Sequence, residues 1–101
     1  MKAFLISPDT QSIETVDIDS LDDIRKVIGF DTLESDAVGT QGDRLYFDEA
    51  CFIRGSSGRF QIDSVIPVAG KGILIGADAD GSGLSDVATD IEDLRRRTRF
   101  Q

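Results

Sequence analysis

The amino-acid sequence predicts an α+β fold, with a mostly antiparallel sheet of about five to six strands and two helices. Short runs of apolar or alternating residues recur along the chain with turn residues between them, a pattern typical of antiparallel strands. Two other segments carry apolar residues at helical spacing, near Ser20–Gly29 and near Ser85–Thr98. The length of 101 residues fits one domain, 1–101.

The first two predicted strands form a hairpin. Lys2–Ser7 and Ile13–Ile18 are joined by a short segment in which Pro8 and Asp9 favour a turn. Because this connection is short, the two strands are expected to pair antiparallel. Further strands are predicted at Asp31–Ala37 as an edge strand, at Arg44–Glu49 and at Gly72–Ala77, whose consecutive apolar residues favour burial on both faces. The alternation at Phe60–Asp63 indicates either a short strand or a turn.

Both predicted helices begin at residues that cap helices well. Ser20 is an N-cap, Asp23 completes an acidic version of the capping box, and Gly29 fits the left-handed position after the helix. Ser85 is interpreted as the N-cap of the second helix. Many of the acidic residues therefore have a structural role at the helix starts, where the helix dipole favours negative charge.

The net charge of −8 restricts the classes of partner. A field of this sign repels nucleic acids and anionic membranes, and it suits solubility, a cation or a basic protein partner. The basic cluster Arg95–Arg97 with Arg99 lies at the end of the second helix, where acidic residues one turn earlier neutralise it. Nucleic-acid binding is therefore not expected.

The absence of histidine excludes several kinds of catalysis within this chain. Without histidine, neither a Ser-His-Asp nor a Cys-His arrangement can form. One cysteine, Cys51, cannot supply a zinc site of the usual His/Cys type, and no disulfide can form within the chain. No apolar run reaches the roughly 20 residues of a membrane span, and the short apolar start is unlike a signal peptide. These features predict a cytoplasmic protein without a cofactor.

A polar face on the predicted strand Arg44–Glu49 is the main candidate for chemistry. Alternation along a strand places Arg44, Tyr46 and Asp48 on one face. These side chains either line the pocket of a carboxylate-based enzyme or form the solvated face of an antiparallel sheet.

Two loops are candidates for binding ions. Asp78, Asp80, Ser82 and Asp86 follow the spacing of oxygen ligands in a calcium loop, although position 12 is Thr89 and cannot be bidentate. Short Asp/Gly/Ser tracts are equally typical of a strand-to-helix connection. A second loop is flanked by Arg54 and Arg59, which either hold a small anion or belong to a solvated loop.

The segment Gly70-Lys71-Gly72 lacks the first glycine and the Lys-Ser/Thr ending of a phosphate-binding loop, and it is interpreted as a tight turn.

The order of these elements resembles a known family. A strand hairpin precedes an acidic-capped helix that ends at Ile28-Gly29-Phe30, and a glycine-rich strand, Ile66–Gly76, precedes the Leu84-Ser85-Asp86 segment. This arrangement resembles the small domain of unknown function 3846 of bacteria, plasmids and phages. The resemblance implies no reaction and no catalytic residue.

Composition and motifs together favour a small acidic binding or interaction module. Its partner is either another protein or a second copy of the chain, which would bury an exposed edge strand. The alternatives are a carboxylate-based enzyme and a calcium-binding loop at Asp78–Asp86.

Overall fold

The fold was described from a computed structural model, which describes residues 1–50, 58–63, 67–78 and 83–101. It contains two helices and nine strands within these ranges. In chain order they are β1 (Lys2–Ser7), β2 (Ser12–Asp17), α1 (Leu21–Ile28), β3 (Leu33–Val38), β4 (Asp43–Asp48), β5 (Arg59–Ile62), β6 (Val68–Ala69), β7 (Gly72–Ala77), β8 (Leu84–Ser85), α2 (Ile91–Arg97) and β9 (Thr98–Phe100). The predicted α+β class is confirmed.

Sheet A contains six strands in the order β2-β1-β7-β4-β3, with β8 added beside one end of β7. All its pairs are antiparallel, and the predicted β1–β2 hairpin is confirmed by pairing along six residues. The apolar strand β7 lies at the centre, where Ile73, Leu74 and Ile75 are fully buried. Strand β3 forms one edge, as the sequence predicted.

Helix α1 packs on one face of sheet A, which we call the helix face. Ile24 and Ile28 of α1 join Tyr46, Ile73 and other residues in one buried cluster. The predicted caps are confirmed. The Ser20 hydroxyl accepts a hydrogen bond from the Asp23 N–H at 3.3 Å, and Gly29 has a φ of 93° while its N–H donates to the Arg25 carbonyl.

The opposite face of sheet A packs against sheet B and α2. Sheet B is a second antiparallel sheet with the order β6-β5-β9. Phe60 and Ile62 from β5 and Leu94 from α2 pack against Leu45 and Leu74 of sheet A. The sequence predicted a single sheet. The last strand, β9, extends directly from α2 and was not predicted.

The second helix is shorter than the predicted Ser85–Thr98. It covers Ile91–Arg97, and its N-cap is Asp90, whose carboxylate accepts hydrogen bonds from the N–H groups of the first turn. The predicted N-cap Ser85 instead pairs with Gly76 as part of β8. The following N–H groups are also engaged elsewhere, because Val87 donates to the Lys2 carbonyl and Ala88 donates to Asp43. Neither helix in these ranges has the length and apolar character needed to cross a bilayer.

The carboxylate of Asp43 joins sheet A to the C-terminal segment. It is only 2% exposed, and it accepts hydrogen bonds from the Ala88 N–H at 2.8 Å, the Thr89 N–H at 2.9 Å and the Thr89 hydroxyl at 2.5 Å. A buried carboxylate is costly unless donors surround it, and these three donors meet that requirement. The interaction fixes the chain directly before α2 against the start of β4.

Replacing Asp43 is expected to destabilise the protein strongly. Asp43→Ala leaves the buried Thr89 N–H and the part-buried Ala88 N–H without an acceptor, so we expect the free energy of unfolding to fall by about 3 kcal/mol in urea denaturation. Thr89→Val removes only one of the three donors and is expected to cost about 1 kcal/mol. Equal stability of Asp43→Ala and the wild type would contradict this role.

Close packing between the two sheets requires glycine at position 72. A Cβ atom at Gly72 would lie 2.6 Å from Cζ of Phe60 and 3.1 Å from Cδ1 of Leu45. Gly72→Ala is therefore expected to cost about 1–3 kcal/mol by overpacking, measured by thermal or urea unfolding. A smaller side chain at position 60 relieves the contact, so the double variant with Phe60→Leu should lose less stability than the two single losses added together. Strict additivity would show that the Phe60 ring is not the cause.

Candidate functional site: a pocket beside Asp48

Arg44, Tyr46 and Asp48 belong to one face of β4, as predicted, but this face is not exposed to solvent. Tyr46 and Asp48 are 4% and 3% exposed, because α1 and the adjoining loops cover the helix face. The Tyr46 ring packs in the cluster beneath α1, and its hydroxyl has no hydrogen-bond partner among the described residues. Arg44 turns away to the sheet edge, where it hydrogen-bonds Ser35. Asp48 lines a pocket.

This pocket, which we call the Asp48 pocket, lies at one end of sheet A on the helix face. Its volume is about 300 Å³. Four segments surround it: the β1–β2 turn, the end of α1, the end of β4 and the β6–β7 turn. They contribute both apolar and charged side chains, namely Pro8, Asp9, Ile28, Phe30, Asp48, Ala69, Gly70 and Lys71.

The pairing of β4 with β7 brings an acidic and a basic residue to the pocket. The last pair on this side is Phe47 with Gly72. Asp48 follows Phe47 at the end of β4, and Lys71 directly precedes Gly72, so the strand pair brings both residues to the pocket that they line. Lys71 is exposed and makes no ion pair with another residue that the structure describes.

Asp48 is held in place by neighbouring donors. Its Oδ1 accepts a short hydrogen bond from the Thr32 hydroxyl and another from the Ala50 N–H at 3.3 Å. The Glu49 N–H, next to Asp48 in the sequence, donates to the Thr32 carbonyl. Thr32, which precedes β3, is therefore bonded both to the Asp48 side chain and to the backbone of the next residue. Asp48 thereby has a fixed position at the pocket wall.

The loops that form the rim are braced against each other. The Gly70 N–H donates to the Gly58 carbonyl at 3.3 Å. A Cβ atom at Gly58 would lie 3.1–3.2 Å from backbone atoms of Pro8 and Asp9, so the backbone of residue 58 contacts the β1–β2 turn directly. The pocket therefore depends on contacts between segments far apart in the sequence.

Most of the described pocket residues come from the more acidic half of the chain. Residues 1–50, which supply five of the eight described pocket residues, carry 12 acidic and four basic side chains, whereas residues 51–101 carry seven of each. Ile28 and Phe30 line the pocket at the C-terminal end of α1, where the helix dipole adds partial negative charge.

The predicted ion-binding loops are only partly covered by the structure. Asp80, Ser82 and Arg54 lie outside the described residues, as does Cys51. Of the calcium candidates, Asp86 accepts a hydrogen bond from the Lys2 N–H at 2.8 Å, and the Asp78 N–H donates to the Gly83 carbonyl. Arg59 begins β5 and is exposed. Among the described residues, no group of three or more acidic or cysteine side chains is placed to hold a metal.

The basic cluster at the end of α2 is paired with acids, as the sequence indicated. Arg95 pairs with Glu92, and Arg96 pairs with Asp93. Arg97 bridges Asp63 and Asp93. The hydrogen bond from Arg96 is the main cause that lowers the pKa of Asp93, and the hydrogen bond to Asp63 is the main cause that raises the pKa of Arg97.

The edge of sheet A at β3 is covered by its own side chains. Because Thr32 bonds Glu49 across the β3–β4 pair, alternation turns the backbone N–H and C=O of Ser35 outward. The Ser35 N–H donates to the Glu34 carboxylate at 3.4 Å, and the Ser35 carbonyl accepts from Arg44 at 3.2 Å. The outward groups of Ser35, which lie near the middle of this edge, are therefore already bonded and less available for pairing with a second chain.

Comparison with known proteins gave no match to a family model, a curated protein or a solved structure. The resemblance to domain of unknown function 3846 stays a prediction.

Removing the two side chains that cover the β3 edge is expected to promote self-association. The double variant Glu34→Ala with Arg44→Ala leaves the net charge unchanged and exposes the Ser35 N–H and carbonyl. We expect a concentration-dependent increase in sedimentation coefficient compared with the wild type.

The matched control for this variant removes one acidic and one basic side chain from α1, Asp22→Ala with Arg25→Ala, and also leaves the net charge unchanged. Sedimentation of the β3 variant identical to that of this control would contradict the protective role of Glu34 and Arg44.

Proposed function

We propose that this protein is a binding module that takes a small organic ligand in the Asp48 pocket. The observation that carries the proposal is the pocket itself, which combines apolar walls with a buried carboxylate at the meeting point of four segments. Ligand sites in proteins are typically concave and mostly apolar, with a few polar groups that fix orientation. At about 300 Å³ the pocket lies at the small end of the usual range, which suits a small metabolite.

The pocket supports binding better than catalysis. Among the described residues, Asp48 and Asp9 are the acidic groups of the pocket and Lys71 is its basic group, whereas Tyr46 and Arg44 of the predicted polar face lie elsewhere. A carboxylate-based enzyme would need a second catalytic group directed at the same reacting atom as Asp48. The enzyme alternative and the calcium loop at Asp78–Asp86 have no comparable support from the described residues.

Self-association through the β3 edge is also less well supported than ligand binding. Glu34 and Arg44 occupy the outward groups of Ser35. At the opposite edge of the sheet, Arg95 donates to the Ile13 carbonyl of β2 at 3.4 Å. Both edges are therefore partly covered by side chains of the same chain.

Binding can be tested with a neutral aromatic probe that requires no charge recognition. We expect 2-phenylethanol at millimolar concentration to shift the backbone amide NMR signals of Phe30, Asp48, Gly70 and Lys71, because an aromatic ring fits the apolar walls. Phe30→Ala removes one wall and should weaken these shifts several-fold.

Phe100→Ala is the matched control, because Phe100 is also half-buried but packs against the other side of sheet A. Equal binding by Phe30→Ala and Phe100→Ala, or shifts spread over surfaces away from the pocket, would overturn the proposal.

A further inference from the structure

We infer that the ligand of the Asp48 pocket is a short peptide with an apolar residue, which pairs in extended form with the backbone N–H and C=O of Ala69 at the edge of sheet B. This inference rests on the proposed function and specifies the chemistry of the ligand. It depends on three features: the unpaired edge of β6, the burial of Ala69, and the apolar walls of the pocket that Ala69 lines.

The backbone groups of Ala69 point away from the neighbouring strand β5. Arg59, which lies opposite Ala69, exchanges both of its backbone hydrogen bonds with Gln101 on the other side of β5. The Gly70 N–H donates to the Gly58 carbonyl at 3.3 Å, so the hydrogen bonds between β5 and β6 lie at the positions that flank the Arg59–Ala69 pair. The N–H and C=O of Ala69 are therefore directed to the outer edge of β6.

This outer edge is unpaired although it is buried. Among the described strands, β6 is an edge strand of sheet B, and neither backbone group of Ala69 has a hydrogen-bond partner among the described residues. Ala69 is nonetheless only 4% exposed. Buried N–H and C=O groups are almost always bonded in native proteins, because an unpaired one costs free energy. A ligand that supplies one acceptor and one donor at this edge removes that cost.

The unpaired edge lies at the Asp48 pocket. Ala69 lines this pocket at the point where the chain leaves β6 and turns towards β7. Ile28 and Phe30, at the end of α1, contribute apolar surface to the same pocket. Burial of an apolar group against them adds affinity in proportion to the area removed from water. The pocket therefore offers an apolar surface together with one backbone donor and one backbone acceptor.

This combination favours an extended peptide residue as the ligand. In a hydrogen-bonded pair of antiparallel strands, each residue donates its N–H to the C=O of the other. One residue of an extended peptide can bond Ala69 in this way, which is how sheet edges commonly bind peptides. Strand β6 has only two residues, and Ala69 is the one that directs its groups outward. The short edge and the volume of about 300 Å³ favour a short ligand over a long strand.

Four neutral probes with the same phenyl group test the inference by their different backbone groups. 2-Phenylethanol has neither group, N-acetyl-2-phenylethylamine has the N–H without the second carbonyl, and 2-acetoxy-3-phenylpropanamide has that carbonyl with an ester oxygen in place of the N–H. N-acetyl-L-phenylalaninamide has both. We expect it to bind about tenfold more tightly than the alcohol in titrations followed by NMR, with the other two between them, because each hydrogen bond adds affinity.

A proline variant removes the donor from the protein. Ala69→Pro deletes an N–H that the sheet does not use, and proline is tolerated at such edge positions. It should weaken N-acetyl-L-phenylalaninamide several-fold without weakening N-acetyl-2-phenylethylamine, which lacks the second carbonyl.

Thr15→Pro is the matched control. Alternation from the hydrogen bond between the Ile18 N–H and the Met1 carbonyl turns the Thr15 N–H outward at the β2 edge, and Thr15 does not line the pocket. This variant should change the affinity for neither probe. Equal effects of the two proline variants would contradict pairing at Ala69.

Hydrogen exchange provides a readout that does not need the Ala69 variant to fold. At equal saturation, N-acetyl-L-phenylalaninamide should slow exchange of the Ala69 N–H several-fold more than 2-phenylethanol does. Exchange of the Phe60 N–H, which is already bonded between β5 and β6, should be the same with both probes. Equal exchange of the Ala69 N–H with both probes would overturn the inference.

The possible failures are distinguishable. Binding of the alcohol in the pocket, with equal or weaker binding by N-acetyl-L-phenylalaninamide, would overturn the peptide inference and leave the proposed function intact. Failure of all four probes, the alcohol included, to shift the amides around the pocket would overturn both.

Discussion

The Asp43 carboxylate fixes the C-terminal segment against the first half of the chain. Its three hydrogen bonds with Ala88 and Thr89 cross 45 to 46 residues of sequence. They set the position where α2 begins, and α2 continues directly into β9 and thus into sheet B. Sheet B in turn supplies Phe60 and Ile62 to the core on the far side of sheet A. A single buried charge therefore links the two sheets, and its donors must be supplied because an unpaired buried carboxylate is very unfavourable.

The Asp48 pocket follows from the same framework on the other face. Asp43 and Asp48 are the two ends of β4, but five positions separate them, so alternation points their side chains to opposite faces. One carboxylate joins layers of the fold, while the other lies at a pocket. The central pairing of β4 with β7 brings Asp48, at the end of β4, and Lys71, directly before β7, to the same pocket. The contact that joins the layers of the fold and the pocket of the proposed function therefore lie at opposite ends of the β4–β7 strand pair.

Local signals succeeded where a segment satisfies its own hydrogen bonds. Helix α1 begins after Ser20 and ends before Gly29 as predicted, because its capping groups lie within the segment. The second helix was predicted too long. Ser85 and Val87 fit the helical pattern of the sequence, but Ser85 pairs with Gly76 of β7 and the Val87 N–H donates to the Lys2 carbonyl. Likewise, the face with Arg44, Tyr46 and Asp48 was identified correctly, whereas its burial depended on α1 and on loops far away in the sequence.

The sequence by itself determined the α+β class, the β1–β2 hairpin, the capped helix and the alternation along β4, because periodicity and capping act between near neighbours. Only the tertiary structure decided the division into two sheets, the start of α2 and the pocket. Strand order and register are set by which apolar faces pack together, and no local pattern encodes that choice. The placement of Asp48 and Lys71 at one pocket required the pairing of two strands whose nearest paired residues are 25 positions apart, Phe47 and Gly72.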